Sequence, residues 1–209
     1  MRVVDLTMRI TPGIRVFPGS PQPHFIQWST FGSDGYDSEA MFLSTHTGTH
    51  VDAPSHFVPD GDSIDAIPVN RLMCNGTLIK VPKRSNQLIE RKDLENNDIR
   101  EGDAVIIATG WERNVSKDNY MTENPGLSEQ AARYLTRKKI NAVAIDGPSI
   151  DVGSNDKFVA HKILLSHNIL PIENLCNVTK IRKGRFILVL SVLKLGGATG
   201  SPARVFAIL

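Results

Sequence analysis

Three histidines and a carboxylate fall within eleven positions in the run His46-Thr47-Gly48-Thr49-His50-Val51-Asp52-Ala53-Pro54-Ser55-His56-Phe57. Imidazole and carboxylate together suit Zn, Mn or Fe. His46 and His50 are four apart, the spacing of a helical zinc pair, but two β-branched residues and a glycine between them are poor helix formers. On an extended chain, positions 46, 50 and 52 share one face. A straight strand would still separate the Cα atoms of His46 and His50 by ~13 Å, whereas ligands at ~2.1 Å from one ion need donor atoms a few ångströms apart. The backbone must bend, and Gly48 bends it without a Cβ penalty.

Two further donors are candidates. His161 shares a helical face with Phe158 and Leu165, so it is expected to point inward. Glu173 ends the apolar run Ile169-Leu170-Pro171-Ile172. Spacing alone does not link either residue to the first cluster; an inward histidine is often a hydrogen-bonded core residue, and a carboxylate is usually at the surface.

These groups must be positioned by a chain of 209 residues with 41% apolar residues, 24 Lys+Arg, 22 Asp+Glu and 2 Cys. Length and composition fit a single soluble globular domain over residues 1–209 that needs no disulfide. A formal charge of +2 gives no footing for a nucleic-acid partner. The basic stretch Lys80 to Arg100 is broken by Glu90, Asp93, Glu95 and Asp98 and reads as a solvated face. No apolar run reaches the ~20 residues of a membrane helix. No charged-then-apolar signal region follows Met1. Cys74 and Cys176 lack metal or redox spacing, and buried thiols in a reducing cytoplasm are expected.

Strands are predicted at Arg2 to Met8, His24 to Thr30, Glu39 to Thr45, Thr77 to Val81, Ala104 to Thr109, Ala142 to Ile145, Ile169 to Ile172, Arg185 to Leu193 and Ala203 to Leu209. The prolines around Phe17-Pro18-Gly19-Ser20-Pro21 make a rigid loop, and a turn is expected at Gly32 to Gly35. Ser128 is the predicted N-cap of an amphipathic helix, and Asp156 that of a second helix ending near Ser166. The first half is strand-rich and the second alternates strand and helix. The fold class is therefore α/β or α+β, a mixed central sheet with a few packed helices.

The run His46 to Phe57 matches without a gap the signature H-x-G-T-H-x-D-x-P-x-H-F, and on it the chain resembles the metal-dependent cyclase family, which includes bacterial kynurenine formamidase (arylformamidase) and isatin hydrolase. Asp5-Leu6-Thr7, Pro12-Gly13, Phe17-Pro18-Gly19, Ile64-Asp65, Ile67-Pro68 and Ala144 to Asp151 resemble further family segments. The resemblance implies a swivelling β/β/α fold in a homodimer or homotetramer, acting on a small molecule, as in tryptophan catabolism. It implies two divalent ions, zinc or manganese. His46, His50 and Asp52 would hold one ion; Asp52 would bridge to the second, completed by His161 and Glu173. His56 is carried over as the catalytic acid/base. Where family members often carry an Asp after the N-terminal Pro-Gly, this chain has Ser20.

The chemistry implied is metal-assisted hydrolysis of a C–N amide bond, with His56 supplying a proton to the leaving nitrogen. An arylformamidase-like enzyme and a cyclic-amide, isatin-type hydrolase would share every ligand and differ in the pocket. Phe17, Trp28 and Trp111 are candidates to line it, though core or loop packing would equally account for each ring. A metal-stabilised binding domain is the non-enzymatic alternative. The lack of cysteine and the spare His56 favour catalysis, because structural zinc sites are closed and often Cys-rich.

Overall fold

In the computed structural model, which describes residues 1–182 and 184–209, apolar residues alternate between two buried layers. In chain order the elements are β1 (Val3–Asp5), β2 (His24–Ser29), α1 (Phe31–Asp34), β3 (Ser38–Phe42), β4 (His50–Asp52), β5 (Met73–Lys80), β6 (Leu88–Ile89), α2 (Arg91–Leu94), β7 (Ala104–Ala108), β8 (Gly126–Leu127), α3 (Glu129–Arg137), β9 (Ala142–Ile145), α4 (Val159–Leu165), β10 (Leu170–Glu173), β11 (Arg185–Val192) and β12 (Gly200–Ile208).

Eight strands form one mixed sheet in the order β1-β12-β11-β5-β7-β9-β10-β4, and β12 also pairs with β4. That last pairing closes the sheet into a barrel-like ring, as the swivelling β/β/α expectation requires. Ala104 and Ile106 on β7, and Ala142 and Ala144 on β9, point into an inner core with Val51, Ile172, Leu188 and Val205. Their neighbours Val105, Ile107, Val143 and Ile145 point outward, under Leu135 of α3 and Leu164 of α4. Both faces are buried, which is why these runs are apolar throughout rather than alternating.

The closing strand is short. β4 pairs antiparallel with β10, His50 opposite Glu173, and with β12, Asp52 opposite Gly200. Val51 and Ile172 belong to the inner core, so His50, Asp52 and Glu173 face outward at the seam.

Most predicted elements appear with shifted ends. Ser128 caps α3, its side chain accepting from Ala131 N–H. The turn predicted at Gly32 to Gly35 is taken up largely by α1, which ends on left-handed Gly35. Asp156 does not cap α4. Phe158 takes a left-handed conformation at the N-cap, so the helix begins at Val159, and the Asp151 carboxylate accepts from the N–H groups of Ala160 (2.8 Å) and His161 (3.1 Å). The cysteines are free and half-buried rather than buried. No described helix is long and apolar enough to cross a membrane.

Candidate metal centre

Gly48 makes the bend that the spacing requires. Its φ is +63°, and a Cβ there would press on Ile10 and Ile14 at 3.1 and 3.3 Å. The chain turns through residues 45–48, then enters β4, and the bend swings the His46 ring back over the strand it precedes. A Cβ on Gly200 would lie 2.7 Å from His46 Cε1, so the ring packs closely against the glycine of the neighbouring strand.

The structure brings the five predicted donors together from three elements and one turn. Asp52 stands at the centre. Its Oδ1 lies 2.8 Å from His46 Nδ1 and 3.3 Å from His50 Nε2, and its Oδ2 lies 3.3 Å from His161 Nε2. Glu173 also reaches both histidines of the buried cluster: Oε1 is 3.0 Å from His161 Nε2 and Oε2 is 3.4 Å from His50 Nε2. Two donor triads result, His46/His50/Asp52 and Asp52/His161/Glu173, each with ligand atoms within 4.8 Å of one another.

The donor set fits divalent ions on two grounds. Asp52 Oδ2 is buried and makes no well-aligned hydrogen bond, its nearest donor being His161 Nε2 at 3.3 Å, an arrangement that costs stability unless a cation completes it. Donors on one tetrahedral ion with bonds of ~2.1 Å lie roughly 3.4 Å apart, close to the separations between the His50 and His161 nitrogens and the two carboxylates. The electrostatics agree. Burial pushes the His50 imidazole down, but the Asp52 and Glu173 carboxylates outweigh it and raise the pKa to about 10. Burial raises Glu173, and the facing His161 and His50 more than reverse this, to about 2. The cluster as a whole stabilises positive charge.

Partners behind the donors fix which nitrogen is offered. His50 Nδ1 donates to the Gly48 carbonyl at 2.8 Å, leaving Nε2 toward the carboxylates. His161 Nδ1 lies 2.7 Å from Asp151 Oδ2, so the aspartate that caps α4 also orients the ligand on it. His46 Nε2 meets Thr199 Oγ1 at 3.0 Å, turning Nδ1 inward. Glu173 Oε1 accepts from Ile150 N–H at 2.7 Å. Such carboxylate, carbonyl and hydroxyl partners orient metal-ligating imidazoles generally. The sequence reading missed these roles for Asp151 and Thr199. No local pattern marks either residue: Asp151 lies eight positions before α4 begins at Val159 and reaches it only through the fold of the loop.

His56 follows in a 3-10 turn over Pro54–His56. Its ring stacks on His46 at 4.0 Å and 25°, and among the described residues its ring nitrogens have no hydrogen-bond partner. Burial lowers its pKa to about 4, so the imidazole is neutral near pH 7.

A cavity of about 190 Å³ opens onto these groups, walled by Phe17, Phe57, Phe158 and Met121, with Ser20 at its edge. Phe57 and Phe158 are 5.2 Å apart, and Phe17 and Phe158 6.2 Å. Of the three aromatic candidates, only Phe17 lines this cavity. Trp28 is 76% exposed on β2. Trp111 is buried with Tyr120 and Met121, and its indole N–H donates to the Tyr120 carbonyl at 3.0 Å. The mixed polar and apolar residues around Trp28 do not reveal that, among the described residues, β2 pairs only with β3. Phe57 and Phe158, not singled out as wall residues, take the expected place of the tryptophans.

Comparison with known proteins gives consistent relatives. A family model described as "Putative cyclase" matches residues 4–152. The kynurenine formamidase of Bacillus mycoides (strain KBAB4) is 27% identical over 202 residues, spanning 96% of this chain and 94% of that protein. A solved "potential metal-dependent hydrolase with cyclase activity" superposes with a TM-score of 0.83 at 32% identity, over 99% of this chain and 96% of the other. Isatin hydrolase A from Labrenzia aggregata, bound to benzyl benzoate, superposes with a TM-score of 0.90 at 25% identity, over 100% and 93% of the two chains.

Proposed function

The chain belongs to the cyclase family, and from that premise we propose that it is a dinuclear metal-dependent hydrolase of non-peptide C–N amide bonds, arylformamidase-like in substrate. The observation that carries this reading is the Asp52 carboxylate, shared between two donor triads, with one buried oxygen that makes no well-aligned hydrogen bond. The names of the relatives, a kynurenine formamidase and an isatin hydrolase, support the reaction class.

His46, His50 and Asp52 would hold one ion, and Asp52, His161 and Glu173 the other, with zinc or manganese matching the imidazole and carboxylate donors. Bound there, a divalent ion supplies water of pKa ~7 and polarises an amide carbonyl. The chain's own residues do the rest. Phe17, Phe57 and Phe158 hold an aromatic ring and exclude bulk water. His56 faces the same cavity, neutral, with ring nitrogens free to take up a proton and pass it to the leaving nitrogen. That transfer is essential, because an amide anion is a very poor leaving group.

The same reading carries a small-molecule substrate, a cytoplasmic location and a homodimer or homotetramer. The exposed apolar residues of the β2–β3 hairpin support self-association, which light scattering tests. For the activity, the zinc- or manganese-loaded protein is assayed on N-formylkynurenine, formanilide and isatin, with bound metal counted. The expected ranking places the formamides first. Preferential opening of isatin would favour the cyclic-amide alternative, and two bound ions without turnover of any amide would favour a metal-stabilised binding domain.

A further inference from the structure

Asn174 has no part in the donor set, yet it touches both halves of the centre. It directly follows the donor Glu173, adopts a left-handed conformation with φ +58° and is 5% exposed. Its Nδ2 donates to the Gly48 carbonyl at 3.0 Å, the same oxygen that receives His50 Nδ1 at 2.8 Å. Its Oδ1 accepts from the Tyr120 hydroxyl at 3.0 Å. Its backbone carbonyl accepts from Thr49 Oγ1 at 2.6 Å, and its N–H donates to the Gly147 carbonyl at 2.7 Å.

The orientation of the carboxamide follows from its partners. A backbone carbonyl only accepts, so the end facing Gly48 must be the NH2 group, and the oxygen is left for the Tyr120 hydroxyl. Both ends are engaged within the protein although the residue borders the cavity. That argues against substrate contact and for a structural duty toward the ligands.

Resting on the metal-centre reading above, we infer that Asn174 is a positioning residue that locks the Gly48 carbonyl, and through it the His50 imidazole, at a fixed distance from Glu173. Few residues satisfy the position. Asparagine tolerates the left-handed backbone and brings a short donor. Aspartate keeps the shape but sets an acceptor against an acceptor. Glycine keeps the backbone and loses the donor. Tyr120 acts one step further back, by holding the carboxamide oxygen.

The test compares wild type, Asn174→Asp, Asn174→Gly and Tyr120→Phe by zinc competition against a chromophoric chelator and by the visible absorption of the cobalt-substituted protein. Loss of a partner behind a metal ligand weakens affinity by ~10–100-fold. That loss is expected for both Asn174 variants, with a changed cobalt spectrum, and Tyr120→Phe should show a smaller change in the same direction. Should Asn174→Asp fail to fold, Asn174→Gly carries the same test. Wild-type zinc affinity and an unaltered cobalt spectrum in a folded Asn174 variant would overturn the inference. Failure of the wild-type protein itself to bind zinc or cobalt would instead overturn the metal-centre reading.

Discussion

Two short antiparallel pairings in this molecule distribute their side chains in opposite ways. The β2–β3 hairpin turns Ile26, Trp28, Met41 and Phe42 to the surface, each more than half exposed. The β4–β10 pairing buries His50, Asp52 and Glu173 almost completely. Neither arrangement is favourable by itself. Exposed apolar surface forgoes about 25 cal/mol for each Å² left in water, and a buried carboxylate without full compensation costs several kcal/mol. Polarity set against location thus singles out the two places where, on the reading proposed above, the chain would meet a further group: an apolar surface in one case, a cation in the other.

The largest effect should come from removing the shared carboxylate. Asp52→Ala is expected to empty both donor triads and abolish turnover, as read by metal analysis of the purified variant. Full occupancy of two ions would show that Asp52 does not bridge. His56→Ala should keep its metal and lose turnover by ~10²-fold or more; steady-state kinetics on metal-replete protein measures this, and an unchanged kcat removes His56 from proton transfer. Asp151→Ala removes the acceptor behind His161 and the cap of α4. Zinc affinity should fall ~10–100-fold, and stability by up to ~1 kcal/mol from the cap, read by chelator competition and thermal melting. The smallest effect on the centre belongs to the other pairing. Trp28→Ser should leave metal content and melting within ~0.5 kcal/mol of wild type, while light scattering shows weaker self-association. Loss of metal in that variant would erase the distinction between the two regions.

What the sequence discloses depends on how local the cause is. The clustering of His46, His50 and Asp52, and the need for a bend at Gly48, follow from a window of seven residues, because strand parity and ligand reach act within it. The inward face of His161 follows from helical periodicity in the same way. The opposition of His50 to Glu173 is a long-range register, and no local pattern encodes it. Thr199 and Asn174 are ordinary polar residues until the ring closes and sets them against His46 and Gly48. The start of α4 differs from the expectation because Asp156 is the nearest acid in sequence, whereas the loop folds Asp151 back onto the helix. Trp28 and Trp111 carry the same apolar signature, yet one lies on an isolated hairpin and the other beneath a turn.

The seam where the ring closes rests on three residues, β4, flanked by two pairings. So short a splice has little backbone bonding to keep it shut, and two of its three side chains repel burial unless they are neutralised. Whatever cation they capture therefore also clasps the barrel. Amide hydrogens of residues 50–52, 172–173 and 200–201 should exchange faster in chelator-stripped protein than in loaded protein, while those of β7 and β9 stay protected in both.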